Sequence, residues 1–164
     1  IMTRAEAMSE WNASVEPFFS EFASEAFEEV CRQYLIRLRY AGQLPFLPTE
    51  LGRWWDKSTE IDIVGADHDR RHCLVGECKY RNEKIGMKVL RSLQAKSICL
   101  PMHDDTVFHY WLFSRSGFED PVVELAQRDP YVHLVRMDDL LSSQATRVLS
   151  NKTPASGTTF PQKN

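Results

Sequence analysis

Asp62, Glu77 and Lys79 are side chains of a kind that is scarce inside β-strands, yet each stands in a run that alternates like one. In Glu60-Ile61-Asp62-Ile63-Val64, a period of two puts Ile61 and Ile63 on one face and Asp62 on the other, with Glu60. In Val75-Gly76-Glu77-Cys78-Lys79 the same alternation puts Glu77 and Lys79 on a common face. A hairpin register that joins those faces would bring two carboxylates and one ammonium together. Carboxylates roughly 5 Å apart repel by about 3 kcal/mol at an effective dielectric of about 20, a cost that a divalent cation or a shared proton would remove. Oxygen ligands of this kind suit a hard cation such as Mg2+, with waters completing the octahedron. Such an ion polarises a phosphoryl oxygen and lowers the pKa of a bound water, while a neighbouring lysine orients that water or stabilises developing charge. An ion pair on a half-exposed sheet face is the plain alternative for the same three residues.

These strands need elements to position them. Arg4 to Glu16 is helix-prone with a weak apolar stripe, and Pro17 interrupts it. After Ser24, read as an N-cap, residues Glu25 to Ala41 place Phe27, Val30, Cys31, Tyr34, Leu35, Leu38 and Ala41 on one helical face. Pro45 and Pro48 break the chain, and β-patterned runs follow at Arg53 to Trp55, Glu60 to Val64 and Cys73 to Tyr80, most economically three antiparallel strands. A helix is expected over Lys84 to Ile98. Val107 to Ser114 is apolar on both alternating faces, the pattern of an interior strand covered on both sides. Pro121 to Gln127 reads as a short helix, Tyr131 to Met137 as a strand and Asp138 to Leu149 as a closing helix. The organisation expected is a helical leading segment over 1–23, one α/β domain over 24–149 with a mixed central sheet flanked by helices, and a Ser/Thr/Pro/Gly-rich tail over 150–164 too poor in apolar residues to order itself.

A chain of 164 residues with 43% hydrophobic content can bury one good core. With 20 basic and 23 acidic side chains the formal charge is -3, so any nucleic-acid contact must come from a local patch. Cys31, Cys73, Cys78 and Cys99 have no CxxC spacing, which supports neither a disulfide scaffold nor a zinc ribbon. The sequence contains no run of 18 apolar residues and no charged-then-apolar leader, so no membrane partner is expected and a reducing cytoplasm is the expected compartment. It also lacks a glycine-rich GK[ST] loop, so the chain is not expected to bind ATP itself.

An acid at the end of one strand followed by acid-x-lysine in the next, here Asp62 and then Glu77-Cys78-Lys79, resembles the restriction-endonuclease-like superfamily, often written PD-(D/E)xK. The wider set Phe27-Glu28, Gly52-Arg53-Trp54-Trp55, Glu60-Ile61-Asp62-Ile63-Val64 and Gly76-Glu77-Cys78-Lys79 is similar to a domain of unknown function at the C-terminus of archaeal and bacterial DEXX-box ATPases, behind their AAA-type module. The resemblance spans about Ser24 to Asp139, with Ile61 where the name-giving proline would stand. It implies a restriction-endonuclease-like α/β fold and a nuclease that uses Mg2+ (or Mn2+) to cleave phosphodiester bonds in DNA. Asp62, Glu77 and the carbonyl of Cys78 would then be metal ligands, Lys79 the water-positioning base or electrophile, and Glu28 the helical acid. It further implies an N-terminal AAA-type ATPase partner absent from this chain; self-association stays open. The alternative is a relative that has lost catalysis and keeps the fold as a DNA-binding or protein-docking module that regulates the attached ATPase.

Helical geometry bears on Glu28 separately. With Phe27 at zero and about 100° per residue, Glu28 falls at the rim of the buried arc, whereas Glu29 points to solvent. The alternative is a carboxylate favoured near a helix N-terminus. Lys84, Lys88 and Arg91 recur at i, i+4 and i+7 on the expected second helix, as a stripe for phosphates or a solvated face. Trp54 and Trp55 point opposite ways in a strand, so at least one is expected in the core and the other is free to stack on bases. His68, His72, His103, His109 and His133 show no ligand spacing, and His109 and His133 are expected as hydrogen-bonded core residues.

Overall fold

The computed structural model describes residues 2–14 and 16–142. Helix α1 covers Arg4–Ser14 and helix α2 covers Glu16–Tyr40. Ser24 is therefore no N-cap: α2 runs through it unbroken, and the expected boundary at 23/24 falls inside a helix. Pro17 sits in the first turn of α2, where its missing N–H has no partner to lose, so it marks a start and not a break. The helix stops in a Schellman motif. Gly42 has φ +67°, Gln43 N–H donates to Leu38 O at 2.9 Å, and Gly42 N–H donates to Arg39 O at 3.1 Å.

Five strands follow: β1 Gly52–Trp55, β2 Glu60–Ala66, β3 His72–Lys79, β4 Val107–Ser114 and β5 Val132–Arg136, with α3 Met87–Ser97 between β3 and β4 and α4 Asp120–Arg128 between β4 and β5. They form one sheet in the order β1-β2-β3-β4-β5, antiparallel across β1-β2-β3 and parallel across β3-β4-β5. The mixed central sheet flanked by helices is the α/β architecture expected from the sequence. A helical segment at 137–142 begins where the closing helix was expected; the rest of that helix and the 150–164 tail lie outside the described residues.

The two parallel crossovers place α3 and α4 against one side of the sheet, as right-handed connections do. That side holds Val75, Leu112, Leu90, Leu93 and Val122. The opposite side holds Phe27, Cys31 and Leu35 of α2 with Leu74, Phe113 and Leu140. Covered from both sides, β3 has six consecutive buried residues and β4 ends in four. His109 is one of the buried polar groups and lies 3.1 Å from the His72 ring nitrogen; burial first, then the neighbouring His72 and His133, pushes it down to about 4. His133 stacks on Trp111 with ring centroids 4.3 Å apart and is held below the usual histidine range by burial. Among the described residues no helix is long and apolar enough to cross a membrane.

Candidate functional site

The site starts from an irregularity in β2. Gly52 pairs with Val64 and Trp54 with Ile61, so two steps along β1 match three along β2. The extra residue breaks the period of two. Ile61 joins the core on the α3 side and Ile63 the core on the α2 side, which corrects the expectation that they share a face. The regular pairing of β2 with β3 ends at Ile63 and Gly76. Past that point the Cys78 N–H has no ladder carbonyl to meet, and it donates instead to Asp62 Oδ2 at 2.8 Å.

The bulge also decides where Asp62 points. It lines a pocket on the α2 side with Glu25, Glu28, Glu29, Arg32, Gly52 and Arg53. Burial, and after it the nearby charge of Glu77, pushes the Asp62 carboxyl up to about 7 in spite of the Cys78 N–H. Glu28 is tied to Arg53 by a short charged hydrogen bond, and Arg53 also lies 3.0 Å from Glu60, so the helical acid braces α2 against the β1-β2 hairpin.

Glu77 opens the other way. Its side chain is 8% exposed, with Oε1 at 2.9 Å from Lys79 Nζ and Oε2 at 3.5 Å from Lys96 Nζ. The common face expected for Glu77 and Lys79 is therefore observed. The groove around them, about 280 Å³, is lined by Lys79, Arg81, Lys88, Ser92 and Lys96, four cations against the single carboxylate.

Of the proposed phosphate-contacting stripe, only Lys88 lines this groove. Lys84 precedes α3 because Ile85 is held in a bridge to Phe118 and Gly86 caps the helix, so the helix starts later than its apolar pattern suggests. Arg91 is exposed on α3 outside the groove. Lys96 and Arg81 line the groove as well, outside the three residues expected as its phosphate contacts. Lys88, Ser92 and Lys96 recur every fourth residue on α3, a spacing that could have flagged Lys96. Trp54 packs against the core while Trp55 is 68% exposed on the edge strand, the division that opposite pointing requires.

The donors proposed for a metal are Asp62, Glu77 and the Cys78 carbonyl. Asp62 and Glu77 open onto different pockets, and among the described residues no three His, Cys, Asp or Glu side chains are grouped to hold a metal ion. Glu77 Oε2 lacks a hydrogen bond, but Lys96 faces it.

The geometry defines a mixed α/β module with a cation-lined groove at an acid-x-lysine motif. The chain belongs to a family described as archaeal and bacterial proteins of unknown function (DUF234), which matches residues 2–115. It is 28% identical over 88 residues to an uncharacterized protein of Methanocaldococcus jannaschii, MJECL04, a stretch that is 52% of this chain and 20% of that protein. The chain thus spans about a fifth of the length of this curated relative. Among solved structures it is similar to a protein of unknown function, AF1548 (TM-score 0.43, 17% identity, covering 71% of this chain and 67% of that one). It is also similar to a repair endonuclease from Pyrococcus abyssi (TM-score 0.43, 13% identity, covering 65% of this chain and 46% of that one).

Proposed function

We propose that the chain is a nuclease-fold module that binds DNA through the groove between β3 and α3 without cutting it, and that it regulates an ATPase carried on the same, longer protein. One observation carries the reading: Glu77 and Lys79 line a groove together with three further cations, Arg81, Lys88 and Lys96, while Asp62 lines a different pocket. Four clustered cations supply a local field that the overall charge of -3 does not. Support for a longer protein is the curated relative, of which the matched stretch is only 20%.

Arg81 and Lys88 test the groove, since neither holds Glu77. Arg81→Ala and Lys88→Ala should each flatten the salt dependence of duplex DNA binding, followed by fluorescence anisotropy, by about 0.9 in the log–log slope. Unaltered slopes in both variants would take the groove out of the interface.

Metal-dependent cleavage is the second reading. It is favoured by the Asp62 carboxyl, pushed up to about 7 by burial and by Glu77. Mg2+ or Mn2+ would relieve that repulsion if a strand shift drew Asp62, Glu77 and the Cys78 carbonyl into one cleft.

A further inference from the structure

We infer that the open edge of β5 is a docking slot for an extended peptide that carries an acidic side chain. Strand β5 stands last in the sheet, with β4 on one side and, among the described residues, no strand on the other. The phase of the ladder decides which of its backbone groups are free. Val132 pairs with Tyr110, and the Tyr110 N–H donates to Tyr131 O at 2.7 Å. Tyr131, His133 and Val135 therefore bond to β4, while Val132, Leu134 and Arg136 turn their N–H and C=O groups outward. Two of those three outward donors are already used. The Val132 N–H meets Asp129 O at 3.3 Å, and the Arg136 N–H meets Asp139 Oδ2 at 2.8 Å. Leu134, at the centre, keeps both its N–H and its C=O unpaired among the described residues, the two groups that an added strand engages.

This edge lies in a slot of about 480 Å³ with two largely apolar walls and one charged end. On the α4 side stand Val123, Ala126 and the Leu134 side chain; on the α2 side stand Tyr34 and Trp111, with His133 stacked on the indole at 4.3 Å. Trp111 is 6% exposed, and neither its Nε1 nor His133 Nε2 has a hydrogen-bond partner among the described residues, so this wall holds polar atoms left unsatisfied. Arg136 lines the same slot. It is exposed, its guanidinium lies over Phe118 at 5.3 Å from the ring centroid, and among the described residues no carboxylate is within ion-pair distance of it. An aromatic face holds the guanidinium without neutralising its charge. Side chains of an added strand alternate between the two walls, so the residue beside Arg136 falls on the α4 side, two positions from the one beside Leu134. Charge complementarity selects an acid there and the apolar wall selects an aliphatic side chain beside Leu134. Residues 143–164 of this chain contain no Asp or Glu, so the acid comes from elsewhere.

The test is calorimetric titration of the full chain with short peptides of alternating Thr and Val, capped at both ends, in which the first or the last Val is replaced by Glu or by Gln. The two placements serve parallel and antiparallel addition. In one of them the Glu peptide should bind about tenfold more tightly than its Gln counterpart, the loss expected for one charge-assisted hydrogen bond. Arg136→Ala should bring the Glu peptide down to the Gln level and leave the Gln peptide unaffected. In the complex, hydrogen exchange of the Leu134 amide should slow, while the His133 and Val135 amides, already bonded to β4, change little. Equal binding of the Glu and Gln peptides, an Arg136→Ala variant that binds like the parent, or a Leu134 amide that the peptide leaves unprotected would each overturn the inference. Protection of the Leu134 amide without peptide would also overturn it, assigning the edge to a second copy if protection grows with protein concentration and to residues 143–164 if it does not.

Discussion

Asp62→Asn should stabilise the protein at pH 8 and leave its stability unchanged near pH 4. The Asp62 carboxyl is pushed up to about 7 from an ordinary 3.8, first by burial and then by Glu77. Between those values the folded chain binds more protons here than the unfolded chain, so stability falls as pH rises through the window. Below about pH 4 the group is protonated in both states and contributes nothing; above about pH 7 the full penalty is present. A shift of this size corresponds to about 4 kcal/mol at most, and coupling to Glu77 brings the expected gain to about 1–3 kcal/mol, several degrees in melting temperature. Asn is nearly isosteric and its amide oxygen can still accept the Cys78 N–H, so packing survives. If Asp62 were instead a favourable ion-pair partner, the variant would lose stability at pH 8, and thermal melts at the two pH values separate these outcomes.

Removing Lys79 and Lys96 together should destabilise the fold, and adding Glu77→Gln should restore most of what is lost. The Glu77 side chain is 8% exposed and its two oxygens face Lys79 at 2.9 Å and Lys96 at 3.5 Å. Without them a buried carboxylate is left alone, which costs about 3–5 kcal/mol in a fully buried pair. Both lysines are about a third exposed, so solvent screening reduces the expected loss to about 1–3 kcal/mol. Denaturant unfolding of the parent, Lys79→Ala/Lys96→Ala and the triple variant measures the coupling directly. A triple variant no more stable than the double would show that the lysines act through packing of their stems and not through Glu77.

The elements were legible where a long apolar period had nothing to interrupt it. Strand β4 matches its expected limits from Val107 to Ser114, and the buried face of α2 follows Phe27, Cys31 and Leu35. Pro17 misled because the same residue type breaks a helix in its interior and starts one in its first turn, and only the chain on either side decides between the two. The pairing of Glu77 with Lys79 followed from strand alternation. The direction of Asp62 did not, since one extra residue in β2 reverses everything beyond it and leaves no mark in composition. Lys96 was hidden for a different reason: its partner is set by how α3 lies across β3, a tertiary fact outside any local period.

Recovery of the bound DNA tests the central claim most directly. The protein would be incubated with end-labelled duplex DNA and Mg2+ at low salt, the complex followed by anisotropy, and the strands then resolved on a denaturing gel. The account predicts a complex that dissociates as salt is raised and strands that run at full length. Shortened strands, lost on adding EDTA or on substituting Glu77→Gln, would contradict it and establish cleavage instead.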